Sequence, residues 1–375
     1  MNTVKPGIVR QGGAKIMYGN EFLALWSLTS ICDLKCSYCI VGVPSAHHVN
    51  IPMLPWERLK KIADFLISLN KKAYHIHFAG GEPTLFGSRL LQLLDYMTSQ
   101  LGARFHPVVF TNGMRDIEYY KTLADSVSGL TLLVSIHTEA MALNRLTALI
   151  NSVAPQCKMR VMLMYNPQRR DYSRAIGRAL SDLLAVRKFF PRISKLLDPG
   201  NIAQFDPDMT ERDFQWVATQ NERLAAYGGQ LHPGFLDEYA QVYESCFWEF
   251  CEEGRASIVF SDLSELLPKA EVSRRNHLKG LWCCLGYNYL QIFEDGTASP
   301  APCGCASAYK SRPLWEADPY REQEYPVKAL CPHESCFCSA AHVIPKFHDE
   351  KEADAYLAAY KRHDACQSSR VSGIT

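Results

Sequence analysis

From about residue 20 to residue 205 the chain alternates between two apolar rhythms. Leu59, Ile62, Ala63 and Leu66 recur at i, i+3, i+4 and i+7, the stripe of an amphipathic helix, with Pro55 near its start. Between such stripes stand short, nearly continuous apolar runs: Glu21–Thr29, Tyr74–Ala79, Phe105–Phe110, Leu130–Ile136 and Met159–Met164. The pattern predicts helices over about 85–101, from about 114 to Val127, after Glu139, and from about 168 to Phe190. Continuous apolar strands separated by helices predict an α/β fold with a parallel sheet covered on its faces.

Polar clusters recur at one place, just after each run: Gly80-Gly81-Glu82-Pro83, Thr111-Asn112-Gly113, His137-Thr138-Glu139 and Tyr165-Asn166-Pro167. In β/α barrels and open α/β sheets the C-terminal strand ends are the ligand-binding end. At Gly80–Pro83, two glycines let backbone approach a ligand closely, and the carboxylate or the exposed backbone can hold an ammonium group. In isolation the tetrapeptide is equally a strand-to-helix turn.

Charge narrows the function. Lys+Arg is 40 and Asp+Glu 39, a formal net charge of +1, so no global field gathers nucleic acid or an anionic membrane. With 47% hydrophobic and 21% charged residues, the chain is too apolar to be disordered. The start has no apolar signal region, and no run of about 18 apolar residues offers a membrane span. A cytoplasmic protein is expected.

Cysteine is the outlier, at 14. In a reducing compartment metal or redox chemistry explains this better than disulfides. Cys32, Cys36 and Cys39 form a C-x3-C-x2-C group on the loop after the first strand, which opens onto the same mouth as the polar clusters. Three thiolates on one loop can hold an iron–sulfur cluster with one iron left open, or a zinc ion completed by a distant His or Cys. A second group, Cys283, Cys284, Cys303, Cys305, Cys331, Cys336 and Cys338, lies in the last quarter. Cys157, Cys246, Cys251 and Cys366 are scattered; Cys157 reads as a small core hydrophobe.

The ordered pair, C-x3-C-x2-C after the first strand and Gly-Gly-Glu-Pro after the second, resembles the radical S-adenosylmethionine (SAM) superfamily over about residues 20–205. The resemblance implies a partial (β/α)6 TIM-like barrel. It implies a [4Fe–4S] cluster on Cys32, Cys36 and Cys39, whose open iron chelates SAM. It implies that Gly80, Gly81, Glu82 and Pro83 hold the SAM amino group, that Tyr38 packs near the adenine, and that Ser135 contacts the ribose or carboxylate. Asn112 and the Met162–Asn166 stretch, Met164 included, would line the same mouth. Ordinary strand-end hydrogen bonding is the alternative for Ser135 and Asn112. The chemistry implied is reductive cleavage of SAM to a 5′-deoxyadenosyl radical that abstracts hydrogen from a substrate, with a flavodoxin or ferredoxin as low-potential electron donor.

The second cysteine group brackets an apolar run and Asp295-Gly296, a hairpin signal. A cysteine, a hairpin, a cysteine and a later cysteine cluster resemble the SPASM/twitch extension. That resemblance implies an auxiliary [4Fe–4S] cluster, with Cys284, Cys303, Cys336 and Cys338 as ligands and Cys331 as next candidate. A structural zinc site using His333 or His342 is the alternative. The expected organisation is an N-terminal segment (1–20), barrel (21–209), bridging helical region (210–280), small cysteine-rich hairpin/helix extension (281–345), and terminal helix and tail (346–375).

Other residues have two readings. His75 and His77 share a strand face, facing substrate or simply hydrogen-bonded. Asp206 and Asp208 flank Pro207 near the expected sixth strand, as a base or, more simply, a turn. Relatives with this extension, as the family is known, often modify ribosomally made peptides, and a peptide substrate is slightly favoured over a sugar, amino-acid or natural-product intermediate. The expected leader-recognition domain has no room before Cys32, so a peptide would need a separate leader-binding protein. A non-catalytic iron–sulfur or zinc protein would leave Gly80–Pro83 unexplained. Sequence does not identify the acid–base or hydrogen-donor residue.

Overall fold

Six strands and six helices alternate along the chain, each strand followed by the helix that covers it. They are β1 (Glu21–Thr29), α1 (Trp56–Ser68), β2 (Ala73–Gly80), α2 (Gly87–Leu101), β3 (Phe105–Thr111), α3 (Ile117–Ser126), β4 (Thr131–His137), α4 (Leu143–Val153), β5 (Lys158–Tyr165), α5 (Arg170–Leu184), β6 (Phe190–Lys195) and α6 (Glu211–Leu231). A short antiparallel pair, β7 (Leu197–Asp198) and β8 (Asn201–Phe205), precedes α6. The computed structural model describes residues 21–39, 51–198, 201–235, 247–252, 255–260, 279–286, 289–301, 304–322, 324–332, 344, 346–347, 349–351, 353–355 and 357–358. The chain divides into two compact units, one of residues 24–243 with 292–297, the other of the remainder.

In the first unit the strands lie in the order β1-β2-β3-β4-β5-β6, parallel from β2 through β6. This is the partial (β/α)6 architecture. One sheet face is sealed: Tyr74, Ile76 and Phe78 of β2 and Leu132, Val134 and Ile136 of β4 are buried, as are the stripes Leu59/Ile62/Leu66 of α1 and Leu146/Leu149/Ile150 of α4. Each such side chain contributes roughly 1.5–3 kcal/mol on burial. The opposite face is half-buried and carries His75, His77, Ser135, His137, Met162, Met164, Arg192 and Ser194. A polar, partly open face is what a ligand-binding sheet retains.

The boundary after β5 differs from the sequence pattern. The helix ends at Leu184 rather than near Phe190, and the sixth strand begins at Phe190, ahead of Asp206. Leu184, Ala185, Val186, Phe189 and Phe190 are apolar and only Arg187 and Lys188 interrupt them, so the apolar pattern does not place this boundary. Pro191 sits within β6 because β6 is the last strand in the sheet order, where a missing N–H costs no ladder bond.

The second unit holds β9 (Phe247–Glu252) and β10 (Arg255–Phe260), an antiparallel pair inside the region expected to be helical. It also holds β11 (Trp282–Leu285), β12 (Tyr289–Ile292) as far as Gln291, β13 (Ala298–Ser299), β14 (Val327–Leu330) and β15 (Lys346–Phe347), while the turn between β12 and β13 is counted with the first unit. β12 and β13 are neighbours, as the Asp-Gly signal predicts. Their turn closes with Phe293 N–H donating to Thr297 O at 2.8 Å, and Gly296 takes φ +75°. β11 lies between β14 and β15, antiparallel to both. Among the described residues no helix is long and apolar enough to cross a membrane.

Candidate active site at the strand ends

The cysteine loop is tied to the ends of β2, β3 and β4 by hydrogen bonds. Gly81 N–H donates to Thr29 O at 2.7 Å and Glu82 N–H to Ile31 O at 2.8 Å, so the end of β2 runs against the start of the loop. Both glycines are forced. Gly80 has φ +124°, and a Cβ there would stand 2.2 Å from Thr29 O. A Cβ on Gly81 would stand 2.2 Å from Ile31 O. The close approach expected of this pair is therefore first an approach to the chain's own cysteine loop.

Glu82 is 1% exposed and its carboxylate is fully engaged. Oε1 accepts from Thr84 N (3.1 Å), Thr84 Oγ1 (2.5 Å) and Thr111 Oγ1 (2.9 Å); Oε2 accepts from Asn112 N (2.6 Å). Thr111 Oγ1 spends its only proton on Glu82, so Tyr120 OH, 2.8 Å away, donates to it. Burial pushes the Glu82 carboxyl above its ordinary range, against the pull of Asn112 N–H and the threonines. Of the two groups that can hold an ammonium, carboxylate or backbone, this leaves the backbone of Gly80–Glu82. Pro83 opens a short 3-10 turn that Glu82 caps.

Asn112 reaches the cysteine loop itself. Its Nδ2 donates to Asp33 Oδ1 at 2.6 Å and lies 3.9 Å from Cys32 Sγ, while its Oδ1 accepts from Met114 N. From β4, Glu139 accepts from Ser37 N at 3.0 Å and Ser37 Oγ at 2.5 Å. Asn166 Nδ2 also donates to Glu139, at 3.4 Å. Tyr38 stacks on His137, centroids 5.8 Å apart, and its OH meets His137 Nδ1 at 3.2 Å. Burial lowers the His137 pKa, which keeps the ring neutral and able to accept. Register places Ser135 beside Met162 and His137 beside Met164 on that same face. Ser135 and Met164 share the sheet face with His137, on which Tyr38 stacks, and Asn112 meets the same cysteine loop at Asp33. Thr111 and Glu139 belong to the polar clusters that the sequence shows at the strand ends, but the sequence assigns no role to either, nor to Asp33 beside its cysteine.

Cys32 is exposed, and Cys36 and Cys39 are half-buried. Burial and then the Glu139 carboxylate push the Cys36 thiol up to about 12, with further contributions from Cys39 and Cys32. Cys32 is likewise raised, by burial first, with Asp33, Glu82 and Cys39 adding to it. Cys32, Cys36 and Cys39 share one loop with an accessible edge, thiol donors of the kind an iron–sulfur core takes, and among the described residues no three His, Cys, Asp or Glu side chains already converge on one point.

Residues 26–148 match the family model of the radical SAM superfamily. The match covers about a third of the chain, the part that bears both motifs. The cofactors are a [4Fe–4S] cluster and SAM, and the chain is an enzyme. No curated protein matches the chain. Among solved structures, native anSMEcpe with bound AdoMet and Kp18Cys peptide is 16% identical, covering 81% of this chain and 80% of that one, with a TM-score of 0.49. Streptococcus suis SuiB bound to precursor peptide SuiA is 15% identical, covering 80% of this chain and 64% of that one, at 0.48. HydG, a maturase of the [FeFe]-hydrogenase, is 13% identical over 60% of this chain and 56% of that one, at 0.37. The cofactor assignment rests on the family match, not on these.

The remaining candidates sort plainly. His75 stacks on His106 at 4.8 Å and His77 tilts against Phe110 at 5.8 Å, both on the half-buried sheet face. Asp206 and Asp208 make a turn: Asp206 Oδ1 accepts from Asp208 N at 2.9 Å, and Met209 N donates to Asp206 O. Cys157 is half-buried, with its Sγ 4.0 Å from Val153 O. Cys283, Cys284 and Cys331 are buried. Cys246, Cys303, Cys336, Cys338, Cys366, His333 and His342, and the side chains of Cys251 and Cys305, lie outside the described residues.

Proposed function

We propose that the chain is a radical SAM oxidoreductase that acts on a ribosomally made peptide and carries an auxiliary iron–sulfur centre in its second unit. The observation that carries the radical SAM part is the docking of Gly81 and Glu82 backbone onto the cysteine loop at 2.7 and 2.8 Å, which unites the two motifs in one place. When bound, the cluster and SAM supply a 5′-deoxyadenosyl radical that abstracts hydrogen from the substrate.

The chain's own residues do the positioning. Cys32, Cys36 and Cys39 would hold the cluster. The backbone of Gly80–Glu82 would receive the SAM amino group, while the Glu82 side chain stays committed to Thr84, Thr111 and Asn112. Tyr38 and His137 form an aromatic wall on which adenine could stack. Ser135, Met162 and Met164 floor the same mouth. The peptide reading is supported by the resemblance of the hairpin with its bracketing cysteines to the SPASM/twitch extension. A low-potential flavodoxin or ferredoxin would deliver the electron, and a separate leader-binding protein is a candidate partner.

The test is iron and sulfide content after anaerobic reconstitution, with the Cys32/Cys36/Cys39→Ala triple variant alongside. About eight irons per chain, falling to about four in the variant, is expected. Formation of 5′-deoxyadenosine by the reduced wild-type chain and not by the variant completes it. Iron that does not fall in the variant would sink the cluster assignment. Transfer of substrate deuterium into 5′-deoxyadenosine, from precursor peptides or from small molecules, decides the substrate class.

A further inference from the structure

The second unit sorts its buried cysteines onto opposite faces of one strand. In β11, Cys283 and Cys284 are consecutive, so their side chains point to opposite sides. Cys284 stands opposite Lys328 of β14, and its neighbour on the same face, Trp282, stands opposite Leu330 and Phe347. That face is open at its edge, where Trp282 is half-buried and Leu330 is 50% exposed, and closed around Cys284. Cys284 is 0% exposed in an apolar cluster with Phe347, Ala353 and Leu357, and Trp282 packs against it. Its Sγ donates to Ala353 O at 3.9 Å. Lys328 lies over the Trp282 ring and pairs with Glu350 at 2.8 Å and Asp354 at 2.6 Å, which holds these two helical residues over this side.

The other face carries Cys283, opposite Ala329. Beyond Trp282 and Leu330 the ladder ends in a bulge: Gly280 N–H donates to Cys331 O at 2.9 Å and Cys331 N–H to Leu281 O at 2.8 Å, with Gly280 at φ +83°. Cys331 therefore stands across from Leu281 and shares a face with Leu281 and Cys283. The two thiols are diagonal neighbours, with Cα atoms roughly 7–8 Å apart in such pairs. That is beyond ordinary disulfide reach and within the span of ligands to different metal atoms of one cluster. Cys331 is also where the ladder ends and the run Cys331-x4-Cys336-x-Cys338 begins.

We infer that Cys283 and Cys331, not Cys284, are thiolate ligands of the metal centre in the second unit. Cys284 is a packing residue under the terminal helix. The inference rests on reading this unit as metal-binding, and it is independent of the Cys32/Cys36/Cys39 site. It changes the ligand set expected from sequence by one residue and turns the site to the opposite sheet face.

The experiment measures iron, sulfide and zinc per chain, and the EPR spectrum of the reduced protein, in the triple-alanine background where only this centre remains. Cys283→Ser and Cys331→Ser are expected to lose most of the roughly four irons, whereas Cys284→Ala keeps the metal and the spectrum of its parent. Cys283→Asp and Cys331→Asp guard against simple misfolding: a carboxylate that replaces a ligand shifts the EPR signal of retained iron, and one that replaces a packing group does not. Zinc in place of iron with the same pattern of losses supports the assignment and fixes the metal. Loss of metal in Cys284→Ala with retention in Cys283→Ser overturns it, as does a parent that holds neither metal. The same variants with the triad intact separate the two readings. Absence of SAM cleavage there would end the radical SAM proposal while leaving the Cys283/Cys331 result standing.

Discussion

The Glu82 side chain serves the fold of the strand ends. Its carboxylate ties together the turn after β2 and the turn after β3, and through Asn112 the loop that bears Cys32. In Glu82→Gln the amide either faces the Asn112 N–H donor or forces the Thr84 and Thr111 hydroxyls, which now donate, to turn and accept. A loss of about 2 kcal/mol in urea unfolding of the apoprotein is expected. Gly81 is the stricter case. The atoms a Cβ would meet are Ile31 O at 2.2 Å, Ile31 C at 2.6 Å and Ser30 C at 2.8 Å, all backbone and unable to turn aside. Gly81→Ala must therefore displace the start of the cysteine loop. Displacement of order 1 Å at a reacting centre costs on the order of 100-fold, so 5′-deoxyadenosine formation is expected to fall by about that much. Wild-type rates in Gly81→Ala would refute the geometry.

At the scale of elements, α5 and α6 are joined by a charged clasp that no motif announces. Asp213 caps α6 through Thr210 and accepts from Tyr165 OH at 2.5 Å. It also pairs with Arg170 at 3.0 Å and Arg174 at 3.2 Å on α5, with its own side chain 0% exposed. Burial by itself would raise the carboxyl. The donors from Tyr165, Thr210 and Arg170 outweigh it and hold the pKa at about 2, below the ordinary 3.8. A depressed folded pKa contributes stability that is complete above the unfolded value and lost as pH falls through the folded one. The clasp should thus weaken between about pH 4 and pH 2. Asp213→Asn is expected to cost roughly 2 kcal/mol at neutral pH and to flatten the acid limb of thermal stability over that window. An unchanged acid limb would show that the clasp carries no titratable stability. The same element scale explains the misplaced end of α5: the helical reading runs on to Phe190 because Phe189 and Phe190 are both buried, one beyond the helix and one in β6.

At the scale of the molecule, the described cysteines of the two groups fall in different units, Cys32, Cys36 and Cys39 in the first and Cys283, Cys284 and Cys331 in the second. Iron bound by one group should therefore be lost without the other, which is why the triple variant is expected to keep about half its iron. The near-zero net charge belongs to this scale as well, and directs attention from polyanions to a substrate held inside the sheet mouth.

Much was fixed locally. Alternating apolar runs and stripes are enough to set five of the six strands, because burying one strand face and one helix stripe leaves few other packings. Strand ends mark the mouth, and the C-x3-C-x2-C and Gly-Gly-Glu-Pro residues mark its contents, since thiols and glycines in that order have few other uses. Three things were settled only by tertiary structure. The Glu82 carboxylate turned inward because donors from β3 arrive there. Glu139 became a partner of the cysteine loop because β4 ends beside Ser37. Cys283 and Cys284, adjacent and chemically identical, acquired opposite fates because strand register alone decides which side chain meets the terminal helix and which shares a face with Cys331.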